Sequence, residues 1–205
     1  RPPRSTLFPY PTLFRSVMDK NIQTFQGYFA ARTAKARPVV TSHLCPQIAH
    51  RQLDAGGTVG GIAVTTLGEA EVFANSGFYD ILLANQVVTV SKIRRLCALA
   101  AQASIGIAVD NLDNAQQLSS GAVAAGVELQ VLVEIDAGMG RCGISPGVEA
   151  LKLTQRVDGL SGLKLIGIMG SVPGPKGGDD PSDHESKTKA NIQVILDSKE
   201  TMEQG

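Results

Sequence analysis

Short apolar runs recur along this chain, and a helix-length segment separates each from the next. Gly61 to Thr65, Asp80 to Ala84 (DILLA), Ile105 to Val109 (IGIAV), Leu129 to Ile135 (LQVLVEI) and Leu163 to Met169 (LKLIGIM) read as strands. Most are apolar at consecutive positions, as strands covered on both faces must be. Connections of this length suit helical crossovers between parallel strands and are too long for hairpins. Arg37 to Thr41 adds a shorter run ahead of them, so about six βα units follow in series. The expected fold class is α/β, a parallel (β/α)8-type barrel or a doubly wound sheet. No GxGxxG follows the first run, which favours the barrel. A closed barrel has eight strands, so the expectation is an incomplete barrel whose chain stops in or just after a helix.

The intervening segments carry helix signals. Val17, Ile22, Phe25 and Phe29 are spaced for one face of a helix that should end before Arg37-Pro38. Pro46 to Ala55 should stop at Gly56-Gly57, and Thr66-Leu-Gly-Glu69 is a capping box that opens a helix running to about Ser76-Gly77. Val90 to Ala103, a segment capped by Asp110-Asn111 and ending near Gly126, and Gly147 to Val157 complete the series. Ser171 to Pro181 is dense in Gly and Pro and reads as a loop. Ser182-Asp-His-Glu185 is a second capping box, before a helix with Ile192, Ile195, Leu196 and Met202 on one face. Ser5 to Ser16 (STLFPYPTLFRS) nearly repeats itself, has no regular period and resembles a translated sequencing adapter. Residues 1–16 are therefore expected to be a non-native or disordered leader, and residues 17–205 a partial barrel domain truncated at its C-terminus.

Charge narrows the function. Lys plus Arg and Asp plus Glu number 19 each among 205 residues, so no net field draws the chain to nucleic acid or an anionic membrane. No apolar run nears the roughly 20 residues that cross a bilayer. Cys45, Cys97 and Cys142 are far apart and show neither metal-site nor disulfide spacing, so no metal site and a reducing, cytoplasmic location are expected. Small-molecule chemistry remains.

In a barrel of parallel strands, working residues sit at the carboxyl ends of the strands. That rule selects Thr41-Ser42-His43, Thr65-Thr66, Asn85-Gln86, Asp110-Asn111, Asp136 through Arg141, and Ser171 onward. Glu134 to Gly143 (EIDAGMGRCG) is the most informative segment: Gly138 and Gly140 permit a tight turn that can face Arg141 back into the mouth. There its guanidinium suits a phenolate, carboxylate or phosphate oxygen. The alternative is that Arg141 pairs with Asp136 or Glu134 and only holds the turn.

Several motifs occur together and in order: Arg37-Pro38 with His43-x-Cys45-Pro46-x-Ile48-Ala49, Leu67-Gly-Glu-Ala-Glu71, Ile81-Leu-Leu-Ala-Asn-Gln-Val87, Ala108-Val-Asp110 and Asp136-x-Gly-Met-Gly-Arg-Cys-Gly143. The set, from about Val17 to Gly170, is similar to the alanine-racemase-like barrel of the D-threonine aldolase and D-serine dehydratase family. The resemblance implies a pyridoxal phosphate cofactor in the barrel mouth, carried covalently by a lysine on the first strand. It implies Arg141 near the cofactor's phenolic oxygen, with Gln86, Asn85 and Asp136 also on the cofactor side. Substrates would be small D-amino acids, often with a β-hydroxyl, and a homodimer is compatible with the full-length parent.

The chain departs from the pattern at the first strand, where Val39 and Leu44 replace polar groups, and after the sixth, where Ser171-Val-Pro-Gly174 stands in place of the family's aromatic and Glu-Gly-His. The family's first-strand motif reads Arg-Pro-His-x-Lys-Thr-His-Lys, whereas this chain has Arg37-Pro-Val-Val-Thr-Ser-His-Leu44, so Thr41 stands where the lysine belongs. A hydroxyl cannot replace an amine in condensing with an aldehyde. His43 remains, as a functional group or as a packed histidine bonded to backbone. Lys176 is the one other lysine expected on the correct face. The readings are then a pyridoxal-phosphate-dependent lyase in the parent protein with this chain inactive, a non-catalytic cofactor-binding relative, or a fragment without function of its own.

Overall fold

Helix and strand alternate along the chain as the apolar runs require. The computed structural model describes residues 10–174 and 180–204. Their order is α1 (Tyr10–Ala30), a 3-10 turn (Val40–Ser42), α2 (Pro46–Asp54), β1 (Ile62–Val64), α3 (Leu67–Asn75), β2 (Asp80–Leu83), α4 (Val90–Ala100), β3 (Ser104–Val109), α5 (Leu112–Ala125), β4 (Leu129–Asp136), α6 (Val148–Asp158), β5 (Leu163–Ser171) and α7 (Pro181–Gln204). The five strands form one sheet in sequence order, every neighbouring pair parallel. This is the βα series expected of a barrel wall, in which β1 and β5 are the outermost regular strands among the described residues.

Strand parity sorts the side chains. Ile62, Val64, Ile81, Leu83, Ile105, Ile107, Val109, Leu129, Val131 and Val133 face the helices and are buried with Ala70, Phe73, Leu96, Leu118, Ala122 and Val157. Each such Leu, Ile or Phe contributes roughly 1.5–3 kcal/mol by leaving water. The opposite, inner face carries Leu82, Gly106, Leu132 and Ile166; a Cβ at Gly106 would lie within 4 Å of all three apolar side chains. That face is covered less well, and Ile166 is 45% exposed.

Two local expectations change. Arg37 to Thr41 is not a regular strand: Ala36 and Val39 make only isolated parallel bridges to Thr58 and Ala63, and the chain then curls into the 3-10 turn. Pro38 can accept through its carbonyl, as it does from the Ala63 amide at 2.8 Å, but has no N–H to extend the ladder. The Val40 carbonyl instead accepts from His43 and Leu44. Five strands and a bridged segment thus stand where six strands were expected. At α7, the cap is Asp180 rather than Ser182. The Asp180 carboxylate accepts from the Ser182 amide and hydroxyl, with Pro181 in the first helical position, where a missing N–H costs nothing. Ile195 meets Gly170 of β5 and Met202 meets Thr154 of α6, whereas Ile192 and Leu196, expected on the same face, are largely exposed.

α1 begins at Tyr10, earlier than the apolar spacing from Val17 indicated; Pro11 falls in its first turn, a position proline tolerates. Of the adapter-like stretch, residues 5–9 lie outside the described residues, as does Lys176. No helix among the described residues is long and apolar enough to cross a membrane.

Candidate active site

The carboxyl ends of β1 to β5 and the loops leaving them bring most of the selected residues to one rim. Thr41, carried there by the 3-10 turn, donates its hydroxyl to Glu69 Oε2 at 2.8 Å and lies 3.4 Å from the Thr65 hydroxyl. Glu69 also accepts from the Thr65 amide at 2.9 Å, while its own amide is capped by the Thr66 hydroxyl. Burial raises the Glu69 carboxyl, yet the bonds from Thr65, Thr41 and Thr66 outweigh it and hold the group below its ordinary value. The sequence showed Glu69 only as half of a capping box; that it also receives Thr41 depends on a contact 28 residues away.

Asn85 and Gln86 leave β2 in different directions. Asn85 donates to the Thr65 carbonyl at 3.2 Å and accepts from the Gln86 amide. The Gln86 side chain reaches inward and donates to Glu134 Oε2 at 2.6 Å. Glu134 is 3% exposed, and its other oxygen accepts from the Cys142 thiol at 3.2 Å. Neither Glu134 nor Cys142 was singled out as a site residue from the sequence, although a carboxylate two residues after Leu132 on a strand must share its inward face.

The loop after β4 is shaped by Asp136, whose Oδ1 accepts from the amides of Gly138 and Gly140, both at 3.0 Å. The amide of Gly143 is held by Asp110 Oδ2 at 2.9 Å, and Ile144 returns to bridge beside Ile135. Gly143 has φ +99°, and a Cβ there would lie 2.4 Å from the Asp136 amide nitrogen, so no other residue fits without moving backbone. Arg141 projects from this loop and is exposed. Neighbouring Cys142 and, more weakly, Glu134 push the guanidinium further above its ordinary value, so it is a permanent cation. Burial pushes the Cys142 thiol up, Arg141 opposes this, and Glu134 adds to it.

His43 is not part of this network. Its Nδ1 accepts from the Cys45 amide at 3.0 Å, which leaves Nε2–H to donate to Gln52 Oε1 at 3.2 Å. Both ring nitrogens are thus occupied in tying the turn to α2. Among the described residues no lysine stands at a strand's carboxyl end, and no group of His, Cys, Asp and Glu is arranged to hold a metal ion. A cleft of about 510 Å³ opens beside Gln86, Asp110, Asn111 and Asn114. A larger groove of about 760 Å³ lies between α4 and α5 on the outer layer and includes none of the rim groups that bind one another.

The arrangement offers a permanent cation, a buried carboxylate and short polar groups at the carboxyl ends of the strands, with no amine there among the described residues. The N-terminal domain of alanine racemase is the family whose pattern matches, over residues 15–205. The chain is 37% identical over 150 residues to a D-threonine aldolase of Arthrobacter sp, covering 73% of this chain and 39% of that protein. It is 29% identical over 187 residues to a 3-hydroxy-D-aspartate aldolase of Paracoccus denitrificans strain Pd 1222, covering 91% and 48%. A crystal structure of D-threonine aldolase from Filomicrobium marinum superposes with a TM-score of 0.87 at 32% identity, over 92% of this chain and 51% of that one. The alanine racemase of Clostridium difficile 630 shares the fold, with a TM-score of 0.70 at 18% identity, over 89% and 47%. The chain spans about two fifths to one half of these proteins.

Proposed function

The chain belongs to the alanine racemase N-terminal domain family, and on that premise we propose that its parent protein is a pyridoxal-phosphate-dependent lyase of small D-amino acids, of the D-threonine aldolase or D-serine dehydratase type. The polypeptide itself is inactive because Thr41 replaces the lysine that would carry the cofactor. The relatives named as D-threonine and 3-hydroxy-D-aspartate aldolases support the substrate class. The free state of Cys45, Cys97 and Cys142 supports a reducing, cytoplasmic setting.

The residues fit the cofactor in part. A guanidinium such as that of Arg141 suits a phenolate oxygen, whereas the cleft beside Gln86 is lined by the loop after β2 and the start of α5 and not by Arg141. When bound, the cofactor supplies an electron sink for the bond broken at the substrate's α-carbon. Covalent attachment does not fit: the side chain at 41 is a hydroxyl already donated to Glu69, and no step through a protein-bound cofactor can begin there. Asn85 and Asp136 act through the backbone they hold, Asn85 on β1 and Asp136 on the loop carrying Arg141.

The observation that carries this reading is the Thr41 hydroxyl, donated to Glu69 at the position where the family carries its lysine. The same observation favours a second reading, a relative that binds the cofactor without turnover, since Thr41 is built into its surroundings. Titration with pyridoxal phosphate, borohydride reduction and peptide mapping separates them from full catalysis. Neither expects an adduct at position 41, and Thr41→Lys is expected to create one; an adduct on another lysine with turnover of D-threonine would overturn the inactive reading. Saturable binding of the unreduced cofactor supports the binding relative.

A further inference from the structure

Among the described residues Glu134 is the buried carboxyl. A carboxylate withdrawn from water is costly unless its oxygens are satisfied, and here both are, by groups from separate parts of the chain. Gln86, 48 residues away, holds Oε2; Cys142, beside Arg141, holds Oε1. The backbone of the same residue takes part, since its carbonyl accepts from the Ile144 amide at 2.8 Å. The loop from Ala137 to Gly143 therefore leaves β4 and is tied back to residue 134 twice, once through a thiol and once through the main chain.

The geometry points to Glu134 as a positioning residue, a buried carboxylate that ties back the loop carrying Arg141 through Cys142 and holds Gln86, without touching substrate. This deepens the proposed function and rests on it for what Arg141 binds. The chemistry recognised is an anionic oxygen on a planar ring, presented to a guanidinium whose loop is tied back to Glu134 at Cys142 and Ile144. It also accounts for Gln86: its amide nitrogen is committed to Glu134, so Gln86 acts on the site through that carboxylate.

Three measurements on the full chain test this: the rate of Arg141 modification by phenylglyoxal, the pH profile of Cys142 alkylation by iodoacetamide, both resolved by peptide mapping, and affinity for pyridoxal phosphate by absorbance titration. In Glu134→Gln one of the two acceptor oxygens becomes an amide donor, so either Gln86 must turn its own oxygen toward it or Cys142 loses its acceptor. Cys142 alkylation is expected to rise about threefold at neutral pH with its midpoint moved down, because burial still raises the thiol but the added contribution of Glu134 is gone. Arg141 modification should change by a similar factor. Cofactor affinity should fall about tenfold, the scale of one charge-assisted hydrogen bond. Gln86→Leu, which leaves β4 untouched, should shift Arg141 modification in the same direction and decides the matter if Glu134→Gln fails to fold; Glu134→Asp, which keeps the charge, should restore the alkylation midpoint. Folded variants with unchanged modification and alkylation overturn the proposal. If the unaltered chain binds no pyridoxal phosphate but both labelling rates respond, the cofactor reading fails and the role of Glu134 stands.

Discussion

The Thr41 hydroxyl and the Glu69 carboxylate meet at 2.8 Å, joining the turn before β1 to the first turn of α3. The bond gives position 41 a structural duty that a lysine methylene could not perform. Thr41→Ser is expected to retain most of the stability, whereas Thr41→Val keeps the shape and loses the donor, at a cost of about 1–2 kcal/mol. Urea melts of the two variants check this. Equal midpoints would mean that the hydroxyl is simply solvated.

Acid should reveal the same carboxylate. The folded Glu69 titrates below the ordinary 4.5, so the unfolded chain binds more protons in this range. Its contribution to stability is therefore complete above about 4.5 and is lost as pH falls through the folded value. The difference between the native protein and Glu69→Gln, measured as denaturation midpoint against pH, should narrow below pH 4.5. A difference that stays constant to pH 3 would show that no proton is linked to this site.

Arg37 and Asp80 form a two-pronged ion pair, at 2.9 and 3.2 Å, that clips the bridged segment before β1 to the start of β2. Gly61 leaves room for it: a Cβ there would stand 2.3 Å from an Arg37 nitrogen and 2.4 Å from Asp80. Gly61→Ala should cost about 1–3 kcal/mol by displacing the pair. Arg37→Ala should cost less than about 1 kcal/mol, because both groups are partly exposed. Combined, they should cost less than their sum, since the methyl then fills vacated space. Strict additivity in thermal melts would separate the glycine from the pair.

Strands β2 to β5 were legible because their apolar runs are continuous and show no competing period, although only β3 is buried at nearly every position and β5 is mostly half-exposed. The segment at Arg37 was read as a strand for the same reason, but one missing N–H at Pro38 and the closing turn at Val40 decided otherwise. Helix α7 shows a second limit: Asp180 and Ser182 are both good caps, and the proline between them settles the choice. The strand-end rule selected Thr41, Gln86, Asp136 and Arg141 from position alone. It passed over Glu69 and Glu134, whose importance lies in partners 28 and 48 residues distant. His43 satisfied the positional rule, but local bonds to Cys45 and Gln52 use both its nitrogens.

Gly143 offers the sharpest test of the loop that presents Arg141. Its φ of +99° is disfavoured for any residue with a side chain, and an added methyl would press on the backbone of Ile135 and Asp136, which cannot yield as a flexible side chain would. Gly143→Ala must therefore move the loop, breaking the amide bond to Asp110 or the return bridge at Ile144. The global cost should be about 2–4 kcal/mol if the sheet resists. If the loop yields, the melt should shift little while Arg141 becomes more reactive toward phenylglyoxal and cofactor binding weakens. Gly140→Ala is the control: φ is +59° but open space surrounds the added methyl, so only the backbone strain remains and the loss should be smaller. Equal effects at the two glycines would show that the close approach to β4 does not hold the loop.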